Sequence, residues 1–134
     1  MLEWSAAREV CDNFELFVRH LPEESRCAIH TVKAHDCNFS AIPSSALKLL
    51  SCLQSLDFSS NPRIKRFPID VLQVSSLRVL RMANCSVRVL PRNLGKMLPN
   101  LEELDLQQNE LRRVPTSICD LQHLTTLVLT GKSF

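Results

Sequence analysis

Cys27, His30, His35 and Cys37 carry the side chains best suited to chemistry in this chain, because two thiols and two imidazoles in one short stretch are zinc-ligand types. Their places in the repeat traced below separate them. There His30 and His35 are expected on one side and Cys37 on the other, so the four are not expected to converge and no metal site is expected. The closing segment TGKSF contains the Gly-Lys-Ser of a phosphate-binding loop, but the first glycine of G-x-x-x-x-G-K would have to stand at Thr126. Gly95 and Gly131 are the only two glycines, too few for a glycine-rich phosphate cradle. His20, His30, His35 and His123 lie on separate segments, and no serine-nucleophile motif is present. Neither catalysis nor a cofactor is expected.

The remaining candidates are charged surface residues, and a repeat positions them. LRVLRMANCSVRVLPRNLGKMLPN, from Leu77, is followed at once by LEELDLQQNELRRVP, from Leu101. Leu77 matches Leu101, Leu80 matches Leu104, Met82 matches Leu106, Val87 matches Leu111, and Pro91 matches Pro115. Successive copies begin at 29, 53, 77, 101 and 124, giving four full copies and a partial fifth that stops at Phe134. The second copy carries one extra residue after Asn61, which moves its apolar pair to Ile64 and Phe67 and its proline to Pro68.

Within each copy, Leu104 and Leu106 alternate with Glu103, Asp105 and Gln107, the period of a strand with one buried face. One such strand cannot cover its own apolar side. Stacked copies place the strands in a parallel sheet, with the return segments packed behind it through Ala46/Leu49, Val71/Val74, Leu94/Met97 and Ile118/Leu121. Those segments are too short for more than two helical turns. Ahead of the repeats, Trp4, Ala7, Cys11, Phe14, Val18 and Leu21 recur at threes and fours, which predicts one amphipathic helix over residues 2–21, widened by Val10 and Phe17 and ended by Pro22. Residues 1–26 are expected to cap residues 27–134, the whole forming one continuous domain.

The shared pattern, L-x-x-L-x-L-x-x-N/C-x-L-x-x-L-P, resembles the leucine-rich repeat family from about residue 27 onward. The resemblance implies an α/β fold, a right-handed solenoid or horseshoe with a concave parallel sheet and an N-terminal helical cap. The endings Ile42-Pro43, Phe67-Pro68, Leu90-Pro91 and Val114-Pro115 resemble those of the intracellular subclass that includes Ras-suppressor-type scaffold proteins. It further implies that the ninth residue of each copy (Cys37, Asn61, Cys85, Asn109 and Lys132) turns inward to bond backbone groups, and that partners bind the concave face.

Composition narrows the partner class. A formal charge of +2 is too small by itself to imply nucleic acid or an anionic membrane. No apolar run is long enough to span a bilayer, and Glu3, Arg8, Glu9 and Asp12 interrupt the opening where a signal peptide would be apolar. The six cysteines show no clustered pattern, which suits reduced thiols. An intracellular, cytoplasmic protein is expected.

Repeat register then assigns the surface. Lys33, Asp57, Arg81, Asp105 and Val128 form a central outward row of alternating sign, on strands about 4.8 Å apart, and opposite neighbours in that row are expected to pair. Glu102, Glu103, Asp105 and Glu110 make the fourth copy acidic, beside Gln107. Arg63, Lys65, Arg66, Arg88, Arg92, Arg112 and Arg113 gather in the loops after the strands as a basic edge. The expected function is protein–protein interaction through the concave face, by Lys33, Asp57, Arg81, Glu103, Asp105 and Gln107. Two alternatives stand beside it: an arm of a larger signalling enzyme, such as a kinase or GTPase, and binding at the basic edge by Lys65, Arg66, Arg88, Arg112 and Arg113, whose partner would be an acidic protein, a lipid headgroup or nucleic acid, although the edge lacks interleaved aromatics. An open strand at residues 124–129 would also permit a dimer.

Overall fold

The computed structural model describes residues 2–3 and 14–131. Six strands form one parallel sheet whose spatial order is the chain order: β1 (Leu2–Glu3), β2 (Thr31–Lys33), β3 (Ser55–Asp57), β4 (Val79–Arg81), β5 (Glu103–Asp105) and β6 (Thr126–Val128). Pairing follows the repeat period, so Val32, Leu56, Leu80, Leu104 and Leu127 stand in line across the sheet. This is the expected α/β leucine-rich-repeat solenoid with a parallel sheet.

The proline of each L-P ending starts the return segment. Its carbonyl accepts the first turn's hydrogen bond: from Ala46 N to Pro43 O at 3.1 Å, Val71 N to Pro68 O at 2.9 Å, Leu94 N to Pro91 O at 3.2 Å and Ile118 N to Pro115 O at 3.2 Å. Two return segments are α-helical and two are 3-10: Ser44–Leu47, Ile69–Gln73, Leu94–Met97 and Thr116–Asp120 in chain order. None exceeds five residues.

Two of the expected core pairs need correction. Met97 is exposed while Leu98, which closes that helix as its C-cap, is fully buried. Leu47 and Leu50 are likewise fully buried beside Ala46, whereas Leu49 only packs at the margin. Gly95 sits where Leu94–Met97 meets the next return segment, and a Cβ there would lie 1.7 Å from the Ser117 carbonyl oxygen.

β2, β3, β4 and β5 each end in a turn whose last residue before the ninth position has positive φ: Asp36 (53°), Ser60 (57°), Asn84 (53°) and Gln108 (56°). That left-handed residue drops the ninth side chain into the core. Asn61 Oδ1 accepts from the backbone N–H of Cys37 (3.1 Å) and Phe39 (3.0 Å), and its Nδ2 donates to Ala34 O (3.0 Å) and Phe58 O (2.8 Å). Asn109 repeats the arrangement two copies further along, with Val87 N, Met82 O and Leu106 O. Cys85 performs a reduced version: its Sγ donates to Phe58 O at 3.4 Å, and burial pushes the thiol up to about 11. The inward role of Asn61, Cys85 and Asn109 is as expected, and Cys37 is buried too. Lys132 lies outside the described residues.

The N-terminal segment differs from one helix over residues 2–21. Leu2–Glu3 is a strand that pairs with β2, and helix α1 spans Phe14–His20. A second helix, α2 (Glu23–Cys27), follows Pro22, which occupies its N-cap rather than ending helical structure for good. Phe14 and Val18 are buried as the periodicity requires, but Phe17 is exposed. Trp4, Ala7, Val10 and Cys11 lie outside the described residues.

Helix α1 is tied to the repeats by aromatic contacts. Phe14 meets Phe39 edge-on at 6.3 Å, and Phe39 meets Phe58 at 5.1 Å, so one row of rings joins the helix to the first two copies. Glu15 accepts from Arg19 on its own helix and from Ser45 Oγ of the first return segment at 3.1 Å. These two bonds hold its carboxyl below the usual carboxylate range.

Candidate functional site

In β2, β3, β4 and β5 the middle residue is committed to the core, so the residues on either side of it form the outer face of the sheet. Val32, Leu56, Leu80 and Leu104 are fully buried, while their neighbours on either side remain at least partly open to solvent. Two outward rows result: Thr31, Ser55, Val79, Glu103 and Thr126, and Lys33, Asp57, Arg81, Asp105 and Val128. The second matches the central outward row read from the sequence.

The pairing within the charged row does not. Arg81 stands between Asp57 and Asp105 in register but forks onto Glu103, with Nε to Oε1 at 2.8 Å and Nη2 to Oε2 at 3.1 Å. Glu103 is a diagonal neighbour, within reach of a long arginine side chain. The short aspartates are engaged in their own turns instead. Asp57 Oδ1 accepts from Ser59 N at 2.9 Å, and Asp105 Oδ1 accepts from Gln107 N at 3.1 Å. Glu103's hydrogen bonds raise the already high Arg81 value, and burial opposes the rise. Both aspartates contribute in the same direction as Glu103, through space.

Gln107 is drawn into the same cluster, its Nε2 donating to Asp105 Oδ2 at 3.3 Å. The neighbouring Ser59 is buried, and its Oγ accepts from Ala83 N at 3.1 Å, so it is part of the turn scaffold rather than open floor. Lys33 is exposed and makes no ion pair among the described residues.

The acidity expected of the fourth copy is largely neutralised by the third. Glu102 lies 4.0 Å from Arg78, Glu103 holds Arg81, and Glu110 holds Arg88 at 2.8 Å. Each pair joins adjacent copies, and each is at least partly solvated, so individual contributions are about 0–1 kcal/mol. Sequence reading missed this cross-copy matching. The signal was present, since three arginines of copy three and three glutamates of copy four occupy neighbouring register positions.

The basic edge lies along the loops that follow the strands. Lys65, Arg66, Arg112 and Arg113 are exposed and make no ion pair among the described residues, whereas Arg88 is held by Glu110. Of the residues with ligand-type side chains, His30 Nδ1 lies 3.1 Å from Cys52 O, Cys27 Sγ lies 3.7 Å from Ser51 Oγ, and His35 is exposed while Cys37 is buried. Among the described residues no group of three or more His, Cys, Asp or Glu could hold a metal ion, and no helix is long and apolar enough to cross a membrane.

With this geometry in place, comparisons with known proteins support the leucine-rich repeat family. The leucine rich repeat family model matches residues 75–134. Over 78 residues the chain is 36% identical to human vasorin, covering 58% of this chain and 11% of that protein. Over 89 residues it is 36% identical to human leucine-rich repeat and IQ domain-containing protein 4, covering 66% of this chain and 16% of that one. A leucine-rich-repeat protein of Leptospira interrogans superposes over 98% of this chain and 36% of its own, with a TM-score of 0.61 at 17% identity. The last comparison bears on fold alone. The chain therefore spans a sixth or less of the two curated relatives it matches.

Proposed function

We propose that this leucine-rich-repeat solenoid is a protein–protein interaction module that engages its partner with the outer face of the sheet. The observation that carries the reading is the pair of outward rows centred on Arg81, Glu103 and Asp105. They are held in fixed register, partly open to water, and carry charges of both signs. A partner with complementary charges would gain specificity and a faster encounter from that pattern. Its floor is low where Thr31 and Ser55 stand, which leaves room for protruding side chains. No reaction is assigned to the module.

A charge-swapped variant, Arg81→Glu with Glu103→Arg, tests this while preserving the ion pair. Partner affinity should fall at least about tenfold, or 1.4 kcal/mol, in a variant that circular dichroism shows to be folded. Unchanged affinity in a folded variant would sink the concave-face assignment.

The small share of each relative that the chain covers favours a second reading: the module serves as an arm of a larger protein, for which a signalling kinase or GTPase is one form. A reading frame continuing into a catalytic domain would establish it. Placement inside the cell, as a scaffold of the Ras-suppressor type, rests on the L-P endings and on Cys27, Cys37, Cys52, Cys85 and Cys119 being free thiols. Pairing of two copies through β6 rests on Leu127, which is exposed although its counterparts in four other strands are fully buried. Sedimentation showing monomer at high concentration would rule that pairing out. Nucleic-acid binding by the basic edge is the weakest of these readings, and a gel-shift assay tests it.

A further inference from the structure

The loops after β3, β4 and β5 place cationic and aliphatic side chains in alternation. Aligned on the L-P endings, one position of the loop reads Arg66, Val89 and Arg113 in successive copies, and another reads Ile69, Arg92 and Thr116. Ile69 and Val89 are 70% and 66% exposed, far more than loop packing requires. They border a hollow of about 420 Å3 between the second and third copies, which Lys65, Arg66 and Arg88 surround and Leu90 helps line. A second hollow of about 430 Å3, between the third and fourth copies, shares Val89 and Leu90 and adds Arg92, Arg113 and Val114. The shared residues make the two hollows one groove along the loop edge.

Charge says what that groove accepts. No carboxylate lines either hollow. Nearby Glu110 is committed to Arg88 at 2.8 Å and Asp70 to Lys48 at 3.7 Å. Lys65, Arg66, Arg92 and Arg113 have no ionic partner among the described residues. A polyphosphate backbone would satisfy those cations but would cover Ile69 and Val89 without any apolar gain. A bilayer surface would reach protruding groups but not the recessed walls at Leu90 and Val114. An acidic peptide with aliphatic side chains satisfies both features, its carboxylates meeting the rim and its side chains filling the hollows.

We propose that this groove is a second interaction surface, distinct from the outer face of the sheet, and that it docks a peptide in which carboxylates alternate with aliphatic side chains. The probe is a fluorescein-labelled Glu-Leu alternating peptide, measured by polarisation against the full chain. A glutamate-only peptide and phosphatidylserine vesicles complete the comparison. The Glu-Leu peptide should bind at least about tenfold more tightly than the glutamate-only one. Val89→Glu, and separately Arg66→Glu with Arg113→Glu, should each weaken it at least about tenfold. Ile69→Asp should act in the same direction as Val89→Glu. These side chains are exposed, so circular dichroism should show the fold intact in every variant. Equal binding of the two peptides, binding to vesicles alone, or indifference to Val89→Glu and Ile69→Asp would overturn the proposal. So would loss of peptide binding in the Arg81→Glu, Glu103→Arg variant with retention in Val89→Glu, which would place the peptide on the sheet instead.

Discussion

Replacing Asn61 with Ala tests whether buried backbone satisfaction, rather than leucine burial alone, holds adjacent copies together. Asn61 is fully buried. Its Oδ1 is the acceptor for two backbone N–H groups of the preceding copy, Cys37 and Phe39, while its Nδ2 serves Ala34 O, Phe58 O and, at 3.2 Å, Ser59 O. Alanine would strand both N–H groups away from water. At about 1–3 kcal/mol for each orphaned donor, the cost is about 2–6 kcal/mol. Carbonyls tolerate under-satisfaction better, so they add less. Against a total stability of about 5–15 kcal/mol, that loss is severe. Asn61→Cys should cost less than Asn61→Ala, because Cys85 occupies the same place one copy later and its Sγ reaches Phe58 O. Urea denaturation followed by far-UV circular dichroism measures both. A loss under about 1 kcal/mol for alanine, or equal losses for alanine and cysteine, would refute the reasoning.

Gly95→Ala should destabilise by about 3 kcal/mol, since the new Cβ would overlap the Ser117 carbonyl and rigid backbone must give way; thermal melting reports it. Gln108→Asn should stabilise by about 0.5–1 kcal/mol, because asparagine tolerates the left-handed φ of 56° better than glutamine does, and chemical denaturation resolves the gain. The Cys85 thiol is pushed up to about 11 in the folded chain, above its unfolded value, so the folded state keeps a proton that the unfolded state releases first. Its contribution to stability is present below the unfolded value and is lost as pH rises through about 11; Cys85→Ala should flatten that part of the urea-midpoint profile. At neutral pH a thiol reagent should modify exposed Cys27 and Cys119 readily, and buried Cys37 and Cys85 only on unfolding.

The core and register were legible because they are written in periodicity. Leu56, Leu80 and Leu104 recur at a constant interval, and the sheet pairs them directly. The ends of the fold were less legible. Residues 2–21 carry a helical spacing of apolar residues, yet the open edge of β2 recruits Leu2–Glu3 as a strand, a tertiary contact that local periodicity does not encode. Met97 and Leu98 were confused because in a single helical turn both three- and four-residue spacings lie near one face. At the candidate site, the outward rows followed from register, but ion pairing did not. Side-chain length decided it: Arg81 reaches diagonally to Glu103, while Asp57 and Asp105 are captured by the turn N–H groups two residues on. The apolar groove at Ile69 and Val89 escaped notice because the arginines around it drew the sequence reading toward charge alone.

The most direct test of the central claim is affinity capture from a cell lysate with the native chain and with the Arg81→Glu, Glu103→Arg variant, read by quantitative mass spectrometry beside matched melting curves. A protein bound by the native chain should be depleted at least about tenfold on the folded variant. An identical set of captured proteins on both, with both folded, would contradict that claim.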